Sequence, residues 1–326
     1  MRQALTFAGR PALLDVVGRS LSERLVPTFA HLTATSTGTR PITVSIWDEA
    51  VTGLEAPSLS DPAELEWRRD DWLLSSHADH RCLREARAGR VGCLDRQTDH
   101  LVIAYASASG VSLHEQGRPA ARLLAQIYRG LGVTRVHAGL VAAGEDGEAG
   151  ALVVGRSGSG KTTLTLDCLT GGLDYLADDV VGIEQAGDER FIGHSIYGCA
   201  NVLPFHLDRH PDLRPYARSD TSQDKALLLA AQPHPHAVRA RTTLRAILVP
   251  RVSSGARTRL TPFARRDVLP MLVPDTPEHV HAGFSERDAA RLAALVKRTR
   301  CYLIEPGRDP REVAASVRAF LEHPPA

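Results

Sequence analysis

An α/β fold preceded by a smaller α+β segment is what this sequence predicts, on three observations. After residue 130, apolar runs of strand length alternate with segments of helical spacing. One of those runs leads into a glycine-rich stretch that opens a helix. Before residue 130, strand-like and helix-like patterns occur without that alternation. The expected organisation is an N-terminal α+β domain over 1–130, suited to substrate recognition, and an α/β domain over 131–326.

Taken in order, residues 10–25 place Leu13, Leu14, Val17, Leu21 and Leu25 at helical spacing and predict an amphipathic helix. "PITVSIWD" alternates like a strand, and "GRVGCLDRQTDHLVIAYAS" predicts a hairpin turning at Asp95–Asp99. Residues 52–80, with Pro57, Pro62 and a polar mix, predict loop and short helix. A helix over 118–132 ends at Gly130 and Gly132. In the second part, "VTRVHAGLVAAG", "ALVVG", "DYLADDVVGIE", "RAILVP" and "CYLIEP" are strand candidates. Helices are expected over 161–170, over 285–298 with Ser285 as cap, and over 309–322 with Asp309 as cap and Pro310 in the first turn.

The chain has 326 residues, 43% of them hydrophobic, and a net charge of +1. A core is expected, and the charge gives no electrostatic case for nucleic acid or an anionic membrane as partner. There are 5 cysteines, an odd number without close pairs, which argues against a disulfide framework; the absence of CxxC argues against structural zinc. Without an N-terminal apolar run or a long uncharged apolar stretch, a soluble, cytoplasmic protein is expected.

The strongest local signal is "GRSGSGKTTL". Gly155, Gly160, Lys161 and Thr162 satisfy G-x-x-x-x-G-K-[ST], between a strand and a helix. Phosphate oxygens are held by backbone N–H groups converging on one point, which requires a loop free of Cβ obstruction and gains from a helix N-terminus. The expected nucleotide-binding residues are therefore Gly155, Arg156, Ser157, Gly158, Ser159, Gly160, Lys161, Thr162 and Thr163. Lys161 supplies charge to the β- and γ-phosphates, and the Thr162 hydroxyl suits Mg²⁺. ATP and Mg²⁺ are the expected ligands.

Two further features point to chemistry. Asp178 and Asp179 end a strand-like segment after the loop. One acid can hold the metal while the other takes a proton from a hydroxyl nucleophile. Asp178 is expected as the base, and Asp179 with Thr162 as the metal ligands. His137, before the loop strand, is expected to shape charge near the γ-phosphate.

His137, "GRSGSGKT" at 155–162 and "ADD" at 177–179, in this order, resemble the catalytic domain of HPr kinase/phosphorylase. The resemblance spans about residues 131–205 and, more loosely, the rest of that part. It implies an HPr-kinase-like P-loop domain and phosphoryl transfer to a hydroxyl. The chain departs from the pattern in "FIGHSIYGCANV": Asn201 and Val202 fit, but Gly193 or His194 stands where the family has a glutamate. That puts a second metal site and a phosphorylase reaction in doubt. The layout looks more like the lasso-peptide kinases, which phosphorylate a serine of a ribosomal peptide. A peptide, protein or small-molecule hydroxyl is thus the implied acceptor, and, since the kinase family is hexameric, a homo-oligomer is an expectation.

Rival readings are a nucleotide-gated switch or NTPase without an acceptor, a binding module with a degenerate kinase site, and a carboxykinase-like enzyme of the same fold class. Lys225 and the pair Arg239 and Arg241 are candidates for contacting phosphates or substrate, though each reads first as an ordinary surface cation. His206 and His210, at i and i+4, would share a helix face, but no third metal ligand is evident.

Overall fold

A computed structural model describes residues 1–35, 40–57, 65–69, 72–77, 80–85, 89–145, 147–220, 224–273 and 284–323. The chain divides into two compact units, Met1–Ile127 and Tyr128–Ala326.

The first unit holds β1 (Arg2–Phe7), β2 (Arg10–Val17), α1 (Arg19–Leu25), β3 (Ile42–Asp48), α2 (Glu49–Thr52), β4 (Leu65–Arg69), β5 (Trp72–His77), β6 (His80–Glu85), β7 (Arg90–Asp95), β8 (His100–Tyr105) and α3 (Leu113–Gly117). α4 (Ala121–Gly130) carries the chain across the division. The eight strands form one sheet in the order β1-β2-β3-β8-β7-β6-β5-β4. β3 is parallel to both β2 and β8, and the other pairs are antiparallel. In β3, Ile42, Val44 and Ile46 are buried in alternation, as one covered face requires. α1 packs on β2 with Leu21 and Leu25 buried, and Phe29 meets Phe7 at 6.3 Å between ring centroids.

Three expectations change here. Residues 10–17 are a strand, in which Ala12, Leu14 and Val16 are buried in alternation. The helix begins only after Gly18, at φ +112, so the apparent helical spacing joins the core-facing residues of two elements. Within 52–80, Thr52 ends α2 and 53–57 are loop, as expected, but 65–69 and 72–77 form β4 and β5; 58–64, 70–71 and 78–79 lie outside the described residues. Cys82 and Cys93 face each other across β6 and β7 and are joined as a disulfide, while Cys168, Cys199 and Cys301 are buried thiols.

The second unit holds β9 (Thr134–Val136), β10 (Gly139–Ala143), β11 (Ala149–Val153), α5 (Lys161–Thr170), β12 (Asp174–Ala177), β13 (Val181–Ala186), β14 (Arg190–Ser195), β15 (Cys199–Val202), α6 (Pro204–Arg209), β16 (Ala217–Arg218), β17 (Ala226–Leu229), β18 (Arg241–Pro250), β19 (Arg259–Pro262), α7 (Arg265–Leu272), α8 (Glu286–Arg298), β20 (Arg300–Glu305) and α9 (Pro310–Glu322). Strands and helices are thus mixed through the unit, as an α/β class requires.

Its main sheet runs β12-β10-β11-β18. The long strand β18 then pairs with β14 through its first residues and with β20 through its last. β10 is antiparallel to β11 and β12, whereas β18 is parallel to β11 and β20. The carboxyl ends of β12, β11, β18 and β20 therefore share one edge, where open α/β sheets present their ligand crevice.

Both faces of this sheet are covered. Leu140, Leu152 and Ile247 pack with Val268 of α7 and Leu292 and Leu295 of α8. On the other face Val141, Val153 and Leu248 pack with Leu164 of α5 and Val313 and Val317 of α9. This explains the unbroken apolar runs of β10 and β11. The caps fall where expected: Ser285 accepts from the Asp288 amide, and Asp309 from that of Arg311.

Candidate active site

The glycine-rich stretch leaves β11 at the shared edge and enters α5. Val154 N–H donates to Leu248 of β18, which fixes the start of the loop. A Cβ at Gly155 would fall 2.5 Å from Ser159 Oγ, so the backbone can close up only with glycine there. Gly160 stands at φ +100 as the residue before the first helical turn. The Ser159 hydroxyl is buried without a hydrogen-bond partner among the described residues. Arg156, Ser157 and Gly158 are exposed at the loop's crest. A cradle free of Cβ atoms, an unsatisfied hydroxyl and a helix N-terminus together fit a polyphosphate.

Lys161 is buried and folds back over the loop, donating from Nζ to Gly155 O at 2.7 Å and Arg156 O at 3.2 Å. Burial lowers its pKa, against the opposing pull of the Asp179 and Asp178 charges.

The strand expected through 174–184 is broken between β12 and β13, and the break holds both acids. Asp178 is buried and accepts from the Thr162 hydroxyl at 2.9 Å. The Thr165 hydroxyl lies 3.4 Å from its other oxygen. Asp179 stands at φ +90, a left-handed conformation that costs a non-glycine residue about 1–3 kcal/mol. That kink turns the second acid away from the first. Asp179 lies 3.3 Å from His137 Nδ1 and accepts from Asn201 Nδ2 at 3.4 Å. His137 follows β9, which pairs with β13, and Asn201 belongs to β15; non-local pairings thus bring these groups together.

The geometry differs from the expectation in one respect. The hydroxyl of Thr162, expected beside Asp179 as a metal pair, meets Asp178 instead; the acid expected as the base is the one tied to the loop helix. Asp179 is the acid that faces the cavity.

That cavity, of about 650 Å³, lies over the N-terminus of α5 and is lined by His137, the loop from Ser157 to Thr163, Asp179, Asn201, Phe205, Arg209, Lys225, Val252 and Gly307 among others. Lys225, read as a surface cation, belongs to its wall. Arg239 instead pairs with Asp174 at 3.0 Å, and Arg241 is exposed on β18.

Sequence reasoning missed a buried polar group behind the loop. Asp167 of α5 is fully buried and takes both oxygens to Arg209, from Nε at 2.7 Å and Nη2 at 2.8 Å. His210 Nε2 lies 2.9 Å from the same carboxylate, and its Nδ1 lies 3.1 Å from the Thr170 hydroxyl. His206 Nδ1 accepts from the Leu203 amide at 2.9 Å, so the imidazole carries its proton on Nε2, 3.2 Å from the Thr163 hydroxyl. Burial, then the charge of His210, lowers the His206 pKa to about 4. The two histidines that share i, i+4 spacing thus fasten α6 to α5. Among the described residues no group of three His, Cys, Asp or Glu side chains is placed to hold a metal. His194, where the resemblance has a glutamate, is buried on β14 and bonded to Glu184 at 2.7 Å.

No protein-family model matches the chain, and no curated protein does. Among solved structures it is similar to the Hpr(Ser) kinase/phosphatase from Coxiella burnetii, at 14% identity and a TM-score of 0.32, over 58% of this chain and 88% of that one. No helix among the described residues is long and apolar enough to cross a membrane. What the site does is decided by its own residues.

Proposed function

We propose that this protein is an ATP- and Mg²⁺-dependent kinase that transfers a phosphoryl group to a hydroxyl of a peptide, protein or small molecule. The observation that carries the reading is the division of labour between two adjacent acids: Asp178 tied to Thr162, Asp179 turned by its backbone toward the cavity and His137.

The amides of 155–162 and Lys161 bind the phosphates. Mg²⁺, when bound, neutralises charge on the β- and γ-oxygens, and Thr162 and Asp178 are the residues suited to hold it. Asp179 accepts the proton of the acceptor hydroxyl as its oxygen bonds to the γ-phosphorus and the bond to the β-γ bridging oxygen breaks. His137 and Asn201 orient Asp179. These roles reverse the sequence expectation, in which Asp178 was the base and Asp179 the metal ligand. The support for this assignment is that the Thr162 hydroxyl meets Asp178.

A second reading, a nucleotide-binding regulatory module, is favoured by His194, a neutral, locked group where the resemblance has an acid. One experiment separates the two. The protein is incubated with ATP, Mg²⁺ and a panel of serine-containing peptides, including ribosomal precursor peptides, and small alcohols, and products are read by mass spectrometry. A gain of one phosphoryl group on an acceptor, lost about 10²–10⁴-fold in Asp179→Asn with ATP binding retained, is the expected result. ATP bound without transfer or hydrolysis identifies the module. Hydrolysis unaffected by any acceptor identifies an NTPase.

A further inference from the structure

The cavity extends beyond what a triphosphate needs. Asp178 and Asp179 follow β12, whereas Pro306 and Gly307 follow β20, four strand positions along the same edge. At the spacing of paired strands that is roughly 19 Å. The glycine-rich loop, after β11, occupies the middle of this span, which leaves the α6 and β20 end for whatever the triphosphate carries.

The side chains at that end add apolar and planar groups to the cations Arg209 and Arg251, the chemistry of a flat aromatic ligand beside its phosphates. Phe205 is 54% exposed although it lines the cavity. Its ring centroid lies 4.0 Å from that of His206, whose own ring is anchored to Leu203 and Thr163. Arg209 lies one helical turn on, on the same side of α6. Its guanidinium donates to both oxygens of Asp167, to Arg308 O at 3.0 Å and to Gly307 O at 3.4 Å. With its in-plane donors so engaged, the group presents its face. Val252, another lining residue, is 77% exposed, and its methyl lies 3.9 Å from a Cβ built on Gly160, beside the glycine-rich loop. Exposed Phe and Val contribute nothing to a bare polyphosphate. They are the components of a stacking slot.

We infer that Phe205, supported by Arg209 and with Val252 as a further apolar group of the same cavity, is the platform for the nucleobase of the bound nucleoside triphosphate. This rests on the phosphate-loop reading above.

Calorimetric titration of the full-length protein in Mg²⁺, with ATP and separately with inorganic tripolyphosphate, tests it. Phe205→Ala is expected to weaken ATP on the order of tenfold and to leave tripolyphosphate unchanged, which also shows that the variant is folded. Phe205→Trp is expected to keep ATP affinity and to lose indole emission on ATP but not on tripolyphosphate. Unchanged ATP affinity in Phe205→Ala, or no quenching in Phe205→Trp, overturns the platform while tripolyphosphate binding leaves the phosphate loop standing. Failure of the wild-type protein to bind either ligand overturns both.

Discussion

The Thr162 hydroxyl donates to Asp178 at 2.9 Å, tying the first turn of α5 to the end of β12. In the absence of metal, this bond keeps a threonine hydroxyl and a carboxylate together where the loop would present its phosphates. Asp178→Asn keeps an oxygen for the hydroxyl and removes the charge. ATP affinity is expected to lose its enhancement by Mg²⁺, on the order of 10- to 100-fold, with metal-free affinity unaffected. Calorimetry with and without Mg²⁺ reads this directly. An Asp178→Asn protein with full Mg²⁺ enhancement would remove Asp178 from the metal site.

The loop backbone offers a second prediction. Gly160 stands at φ +100, and a Cβ added there would meet Pro250 at 3.8 Å and Val252 at 3.9 Å, both ordinary contacts. Space is available, so the penalty for Gly160→Ala lies in the backbone. It is expected to be about 1–2 kcal/mol in denaturant unfolding, with the loop relaxing and phosphate affinity falling as well. Wild-type stability in this variant would show that the loop adopts another conformation in solution.

Behind the loop, the fully buried Asp167 forms a two-pronged ion pair with the partly exposed Arg209. The carboxylate enforces the charge on Arg209, and burial only partly opposes that. Removing Arg209 strands a fully buried carboxylate, at about 3–5 kcal/mol, whereas removing Asp167 leaves a partly exposed cation that solvent can reach. Arg209→Ala is expected to destabilise by that order and Asp167→Ala by less, and the double variant by clearly less than their sum. Urea unfolding of the four proteins closes the cycle; strict additivity would mean the pair is not coupled.

What was legible in the sequence was local. The loop, its helix and the caps at Ser285 and Asp309 depend on neighbouring residues, and they stand where the pattern put them. Residues 10–17 misled because Leu14, Leu21 and Leu25 keep helical spacing while facing the core from two elements. β4 and β5 were illegible because LEWRR alternates only briefly and lies near prolines, and WLLSSH shows no period-2 alternation. The Cys82–Cys93 pairing depends on strand register, which cysteine spacing does not encode. In the site, Asp178 and Asp179 were visible as a pair, but which one Thr162 meets depends on a backbone kink at Asp179. Asp167 and Arg209 carried no signal at all, being 42 residues apart and of types that read as surface charge.

The last prediction concerns pH. His206 is buried, with its pKa at about 4 against an ordinary 6.5, and its Nδ1 is engaged as an acceptor from the Leu203 amide. Protonation would set one N–H against another at the start of α6. The sign follows from linkage: between pH 6.5 and 4 the unfolded chain binds a proton here that the folded chain refuses. Stability from this residue is present in full above pH 6.5 and is lost as the pH falls toward 4. Between pH 7 and 5, a window above most carboxylates, the loss is about 2 kcal/mol. His206→Gln, which does not titrate, is expected to flatten the dependence by that amount in urea unfolding at the two pH values. Equal slopes in the two proteins would mean that His206 protonates in the fold, and that its hold on Leu203 and Thr163 is not kept in solution.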